Sequence, residues 1–399
     1  MKDNHVTMTA FGLFPAANPR IRWLRFVLIG AMLSGMLCCL PLWLSTRAYP
    51  LVPLFPSWLI LPSGAGPWLL GLTLASLLVA AKFFRLAISF FLVTTLYLFG
   101  CDQNREQPWF YIYWVMLLLN FLPEPTALAA CRLAFAFVYF WAGLQKINGT
   151  FFNEVPAWFV QPAVDWGWPN VVVAAMRDGV LLTPLLEIFI ATGIWFKKPR
   201  WFAISIAVIL HVAALLFLGP IGRDVNHVIW PWNIAMIALL AVLFMTKECV
   251  SLPEVWQDLR RCWSAILLMG LYGLLPMLSF FGWWDSYLSF ALYSYNLADA
   301  DVYVSPSLLD HLPSKLQTYV YPVKHFNPAL QLPYMLEYHL WAEAEMGVPP
   351  LPEPRGYLIL FQQIEAYATN DDDCRLLVKT RSGRILLYHL NDRNPVVLK

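Results

Sequence analysis

The chain has 399 residues, 59% hydrophobic and only 13% charged, with a net charge of +2 and a mean hydropathy of +0.57. A soluble domain carries about 25% charged residues, and one buried core cannot absorb this much apolar surface, so the composition points to a lipid bilayer. No basic stripe stands apart from the membrane loops, which excludes a nucleic-acid partner, and the seven cysteines lack the paired spacing of a zinc site or a redox motif.

The first 20 residues are polar, and the apolar run after them lacks a small-residue cleavage site, so residues 1–25 read as a segment preceding an uncleaved first helix. Apolar runs follow near 26–45, 66–82, 84–100, 108–123, 129–146, 180–196, 201–219, 227–245 and 263–281. Each is long enough, or nearly so, to cross a hydrocarbon core. The expected fold is an all-α membrane bundle of about nine spans over 26–281, followed by a small α+β domain at 282–399. Nineteen Trp and 17 Tyr suit two interfacial aromatic belts.

Basic residues set the orientation. With the N-terminus inside, Arg20, Arg22, Arg25, Lys82, Arg85, Arg132, Lys197, Lys198, Arg200, Lys247, Arg260 and Arg261 are cytoplasmic. Arg47, Arg105, Lys146, Arg177 and Arg223 then lie on the other face, a ratio of 12 to 5. An odd number of spans puts 282–399 outside, and a plasma membrane fits because nothing resembles an organelle address. Residues 151–178, rich in Trp and Pro, read as an interfacial or re-entrant element at the outer headgroup level.

In the tail, Tyr287–Tyr295 and Val302–Val304 alternate as strands do, and Arg375–Thr380 with Arg384–Leu390 read as a hairpin. Between them lie a stiff Pro-rich connector at 348–352 and helical spacing over Arg355–Thr369. Cys101 and Cys374 both fall outside, where a disulfide and two free thiols are equally open.

Ionisable groups within a span cost at least about 2.5 kcal/mol each at the helix centre, so each needs a reason. Tyr139, Gly143 and Lys146 share one face of the fifth run, with Arg132 further in. The glycine lets another backbone or a flat ligand approach the lysine. Glu187, His211, Asn226, His227 and Asn233 come from three further runs and fall mostly in the outer half of the bilayer. The expectation is a polar cavity opening outward, with Lys146, Glu187 and His211 as catalytic candidates. Tyr139, Gly143, Asn226, His227 and Asn233 are then the substrate-binding candidates, and no metal site is expected. Desolvation would prepare Lys146 to act as a base, while Glu187 would oppose this by stabilising the ammonium.

The stretch Val138-Tyr139-Phe140-Trp141-Ala142-Gly143-Leu144-Gln145-Lys146-Ile147 resembles the signature of the HTTM superfamily, the membrane domain shared with vitamin K-dependent gamma-carboxylase. In that family an aromatic, Ala-Gly, an apolar residue and a lysine mark a helix's luminal end, and the second lysine of a basic pair deprotonates vitamin K hydroquinone. Lys146 matches that second position and Gln145 replaces the first. The segment around His211 and the order of spans then β-rich tail are similar too. The turn Leu122–Thr126 has no histidine and the tail is far shorter than the carboxylase's luminal domain, so protein carboxylation is not expected.

The resemblance implies a membrane-embedded enzyme acting on a lipid- or quinone-like substrate, with Lys146 as base or anion-binding cation; the cofactor is unknown. A membrane binding or assembly protein, whose outer domain docks a protein partner, stays open beside it. Against a transporter, the two halves show neither an inverted repeat nor matched broken helices.

Overall fold

The computed structural model describes residues 14, 16–62, 64–291, 293–323, 332–390 and 395–398. α1 (Pro19–Cys38) begins at Asn18, whose side chain accepts from the Arg20 N–H, with Pro19 pre-set for the first turn. There follow α2 (Leu40–Trp43), α3 (Gly66–Val79), α4 (Phe84–Cys101), α5 (Pro108–Leu119), α6 (Glu124–Gln145), α7 (Gly149–Asp165) and α8 (Asn170–Leu181). The bundle is completed by α9 (Thr183–Gly193), α10 (Arg200–Leu218), α11 (Ile229–Phe244), α12 (Leu252–Leu259) and α13 (Trp263–Leu278). Of the segment expected at 1–25, the part from Pro19 already belongs to α1; residues 1–13 and 15 lie outside the described residues.

Among the described residues, five helices are long and apolar enough to cross a membrane: α1, α4, α6, α10 and the stretch Trp263–Phe281 that contains α13. α3, α5, α9 and α11 are equally apolar but shorter. Proline and the turns between helices shorten them. α5 opens at Pro108, and Leu182 in α-helical geometry joins α8 to α9 just before Pro184, so the chain bends there. Side chains such as Leu86, Val93, Phe202, Ile209 and Leu274 are fully apolar and exposed, the outward face of a lipid-embedded bundle.

The first parts of α1, α6 and α10 meet the end of α11, which gathers three of the basic residues assigned to one face. There Arg20 Nη1 donates to Val242 O at 3.0 Å, Arg132 Nε to Leu243 O at 2.9 Å and Arg200 Nη1 to Glu248 O at 2.8 Å. These guanidiniums satisfy carbonyls at and just beyond the C-terminus of α11, where the helix dipole favours cations. Arg132 is therefore a helix cap and plays no part around Lys146. The segment 151–178, expected to be interfacial or re-entrant, is a pair of helices, α7 and α8, with a small core of Phe151, Val155, Val160 and Val180. They turn at Gly167, whose φ of +72° suits glycine.

After Gly282 (φ +73°) the tail forms one antiparallel six-stranded sheet. Its elements are β1 (Asp299–Val304), α14 (Pro306–His311), α15 (Ser314–Gln317), β2 (Val320–Pro322), β3 (Tyr334–Leu336), α16 (Tyr338–Met346), α17 (Pro354–Glu365), β4 (Cys374–Lys379), β5 (Ile385–His389) and β6 (Val396–Leu398). The strand order is β2-β3-β1-β4-β5-β6, with Val302 opposite Leu376 at the centre. Ala300, Val302 and Val304 point inward and join a core with Leu360 and Ile364 of α17. The expected hairpin and helix are thus β4–β5 and α17.

One expectation fails, and one open alternative is decided in favour of free thiols. The described residues of Tyr287–Tyr295 form no strand: the segment opens with a 3-10 turn at Tyr287–Ser289, and Phe290, Tyr293 and Tyr295 are left-handed. The alternation there arises because its rings pack into two different neighbours: Phe290 stacks on Tyr111 and Tyr293 on Trp158. Cys101 and Cys374 form no disulfide. Each is buried in its own unit, Cys374 facing the sheet's core beneath α17, so the two thiols do not meet.

Candidate functional site

The site candidates hang on α6. α9 makes the most extensive helix contact with it, and Gly143 is the reason the two approach so closely. A Cβ at that position would lie 2.7 Å from Pro184 O and 3.1 Å from Glu187 Cβ. The glycine accommodates the backbone of α9, the first of the two expected uses, and no space for a flat ligand is left over it. This approach sets Glu187 beside Lys146, the residue that caps α6. Lys146 Nζ lies 2.7 and 3.0 Å from the two Glu187 carboxylate oxygens and also donates to Ala142 O at 3.3 Å. The pair sits at the bundle surface, its side chains 12% and 16% exposed.

Two turns earlier on α6, the buried Tyr139 meets His211 of α10, Oη to Nε2 at 2.6 Å. His211 Nδ1 is 2.7 Å from Asn233 Oδ1 on α11, and Asn233 Nδ2 donates to Ile229 O at 2.7 Å. Because the Asn233 amide nitrogen is spent on a carbonyl, its oxygen must accept, which puts the imidazole proton on Nδ1. Nε2 is then the acceptor for the Tyr139 hydroxyl. The result is a directed chain, Tyr139 to His211 to Asn233 to backbone, in which every group is satisfied.

Asn226 and His227 stand elsewhere. Asn226, left-handed at φ +53°, donates through Nδ2 to Tyr293 Oη at 3.1 Å. The His227 N–H donates to Gly347 O at 3.0 Å, and its ring borders a recess of about 240 Å³ shared with Asp224 and Glu343. They belong to the junction with the tail. The candidates expected to line one outward cavity therefore separate into three groups: an ion pair, a hydrogen-bonded chain and a junction contact. Helical spacing places residues at one depth, but only the packing angles decide which of them face each other.

The most strongly built polar feature lies where the sequence reading did not look, in Asp102-Gln103-Asn104-Arg105-Glu106-Gln107 between α4 and α5. All six are buried. Asp102 pairs with Arg47 and accepts from Val52 N–H at 3.0 Å, and these guanidinium and amide partners hold its carboxyl below the usual range although burial opposes them. Asn104 Oδ1 accepts from Leu351 N–H at 3.1 Å, Gln107 Nε2 donates to Pro349 O at 3.1 Å, and Arg355 Nε donates to Gln103 Oε1 at 2.8 Å. The run is thus a socket that receives the Pro-rich connector and α17. Glu106 is buried beside the Asp285 carboxylate with both oxygens unbonded among the described residues; Arg355 Nη2 is 3.7 Å away. Burial and Asp285 push it well above the usual carboxylate range. The readable signal was six consecutive polar residues between two apolar runs.

Gln145, next to Lys146, is a second such anchor. Its fully buried amide donates to Ser279 Oγ at 3.0 Å, and its oxygen accepts from Asn296 Nδ2 at 2.8 Å and from Arg381 in the β4–β5 turn. Arg381 also lies over the Phe280 ring, 5.4 Å from its centroid. Gln145 is thus a fixing point for the tail.

Among known proteins, no family model, no curated protein and no solved structure matches the chain.

Proposed function

We propose that the protein is an HTTM-like integral membrane protein that takes up a lipophilic, quinone- or lipid-like molecule from the bilayer at the outer end of α6. In this reading the nine apolar helices α1, α3, α4, α5, α6, α9, α10, α11 and α13 all cross, the short ones by pairing with thinner or tilted parts of the bundle. The N-terminus is cytoplasmic, and the tail lies outside a plasma membrane. The carrying observation is the Lys146–Glu187 pair: two opposite charges held together on the helices, each partly exposed, one helix turn from the packing glycine.

With both oxygens of the Glu187 carboxylate at its ammonium, Lys146 is better suited to hold an anion than to act as a base. An acidic hydroxyl on the ligand loses its proton to the Glu187 carboxylate, and the oxyanion it leaves takes that carboxylate's place at the Lys146 ammonium. The Tyr139–His211–Asn233 chain fixes the far end of this face and keeps water out. Carboxylation of a protein substrate is not part of the reading, because Gln145 is engaged with the tail and the tail is small.

Mass spectrometry of lipophilic molecules co-purifying with wild type and with Lys146→Ala tests this. A quinone or a distinct lipid kept by the wild type and lost by the mutant supports it. Identical bulk-lipid profiles overturn it. The second reading, a binding or assembly protein, is favoured by one observation: the sheet ends in β6, an edge strand with exposed Val396 and Val397. A stoichiometric partner that is lost on substituting those two valines by lysine would support it.

A further inference from the structure

Where the bundle meets the tail, three segments far apart in the chain bring carboxyl groups together. Glu106 comes from the turn before α5, Asp285 from the stretch after α13, and Glu353 from the residue that precedes α17. Arg355, in the first turn of α17, is the guanidinium among them. We propose that Glu106 works as a proton-operated latch: a proton on its carboxyl, donated to Asp285, keeps the Pro-rich connector and α17 seated in the 102–107 socket, and its loss to water releases them.

Every donor near Glu106 is committed elsewhere. Arg355 Nη1 donates to Asp285 Oδ1 at 2.8 Å, Nη2 pairs with Asp285 Oδ2, and Nε donates to Gln103 Oε1 at 2.8 Å. Nη2 stands 3.7 Å from Glu106 Oε2, beyond hydrogen-bond reach. Glu353 Oε1 accepts from the Ser286 N–H at 2.7 Å, and Arg381 acts on the same carboxyl from the β4–β5 turn. On the bundle side, Arg47 is paired with Asp102, and Arg105 donates to the carbonyls of Leu42, Trp43 and Leu98. The Tyr111 phenol of α5 is close enough to sense Glu106 but makes no hydrogen bond to it. Glu106, its side chain 1% exposed, is left with two oxygens and no donor among the described residues. A buried carboxylate in that position takes up a proton and becomes neutral. Protonated, Glu106 has an O–H to give and the Asp285 carboxylate beside it to accept.

Without that proton, two carboxylates face each other with one guanidinium to share. Drawing Arg355 toward Glu106 takes it from Asp285 and Gln103, and these are the bonds that fasten α17 to the socket. Burial first, and then Asp285, push the seated Glu106 well above the usual carboxylate range. Released into water, it returns toward about 4.3. The seated form therefore binds the proton more tightly. Its advantage is complete below the ordinary value and is lost as pH rises through the raised one. The tail is held at acid pH and loosened at alkaline pH. The latch does not involve Lys146 or Glu187.

Hydrogen–deuterium exchange of the full-length protein in detergent, from pH 5 to pH 9, tests this, with each rate taken relative to an unstructured peptide at the same pH. The reporters are Leu351, whose N–H donates to Asn104 Oδ1, and Gly356 and Tyr357, whose N–H groups close the first turn of α17. Their protection should fall as pH rises, by at most about tenfold per pH unit, the limit for one proton. The amides of β1 and β4 should keep theirs, which separates release from unfolding. Glu106→Gln, which offers an amide N–H in place of the acid's O–H, should stay protected throughout, and Glu353→Gln should show the wild-type fall. Flat protection of the wild type across this range overturns the proposal without any variant. So does a fall that persists in Glu106→Gln, as it would if Glu353 or His227 were the titrating group.

Discussion

Single residues in this protein are best understood by what would be left behind if they were removed. Taking Lys146 away leaves Glu187 as a charge in a largely apolar surface; taking both away leaves neither. Lys146→Ala is expected to destabilise by on the order of 1–3 kcal/mol, between exposed and fully buried pairs, and Lys146→Ala with Glu187→Ala by less. A double-mutant cycle on detergent-solubilised protein measures this, and additive losses would show that the pair has no coupling. In the tail, Asp373 accepts from the Ser305 and Ser307 hydroxyls at 2.7 and 2.6 Å and from the Thr369 and Asn370 N–H groups, both at 2.8 Å. Although burial opposes them, these donors hold its carboxyl far below the usual range. A depressed folded-state pKa contributes stability above the unfolded value, near 4, and loses it as pH falls toward the folded one. Asp373→Asn should therefore lower the tail's melting temperature at pH 7, and the gap to wild type should narrow below pH 4.

At the scale of elements, the close contact of α6 and α9 rests on a missing side chain. Gly143→Ala puts a Cβ 2.7 Å from a backbone oxygen that cannot rotate away, so α9 must shift. The expected cost is about 1–3 kcal/mol, and a cross-link between cysteines placed across the two helices should form more slowly in the mutant. The β4–β5 turn meets the end of α6 through Arg381 and Gln145. Arg381→Ala should leave the sheet folded and loosen its contact with the end of α6, seen as faster hydrogen exchange at Asn296 and Ser289 with β1 and β4 still protected. Exchange increased evenly across the sheet would mean that Arg381 supports the tail's own fold instead. The helices themselves were legible, because an apolar run of this length has one way to bury its backbone polar groups in lipid. The strand read into Tyr287–Tyr295 was not, because period-two alternation arises equally when rings pack into two neighbours in turn.

For the whole molecule, the distribution of arginine and lysine makes one decisive test available. Cysteines introduced at Ser382 in the tail and at Lys198 in the turn before α10 should be labelled by a membrane-impermeant reagent from opposite sides of the membrane. Labelling of both from one side would mean that the short helices do not all cross. By itself, the sequence determined that this chain belongs in a membrane, where its apolar helices lie, that a hairpin and a helix build the tail, and which side chains are costly enough to need partners. Those properties are local: hydrophobic length, periodicity and charge are each read within a few turns. Only the tertiary structure decided who partners whom. His211 with Tyr139 and Asn233, Gly143 with the backbone of α9, and the 102–107 run with the Pro-rich connector all join positions far apart in the chain. Their pairing depends on helix crossing angles and rotations, which are set by the summed packing of the bundle.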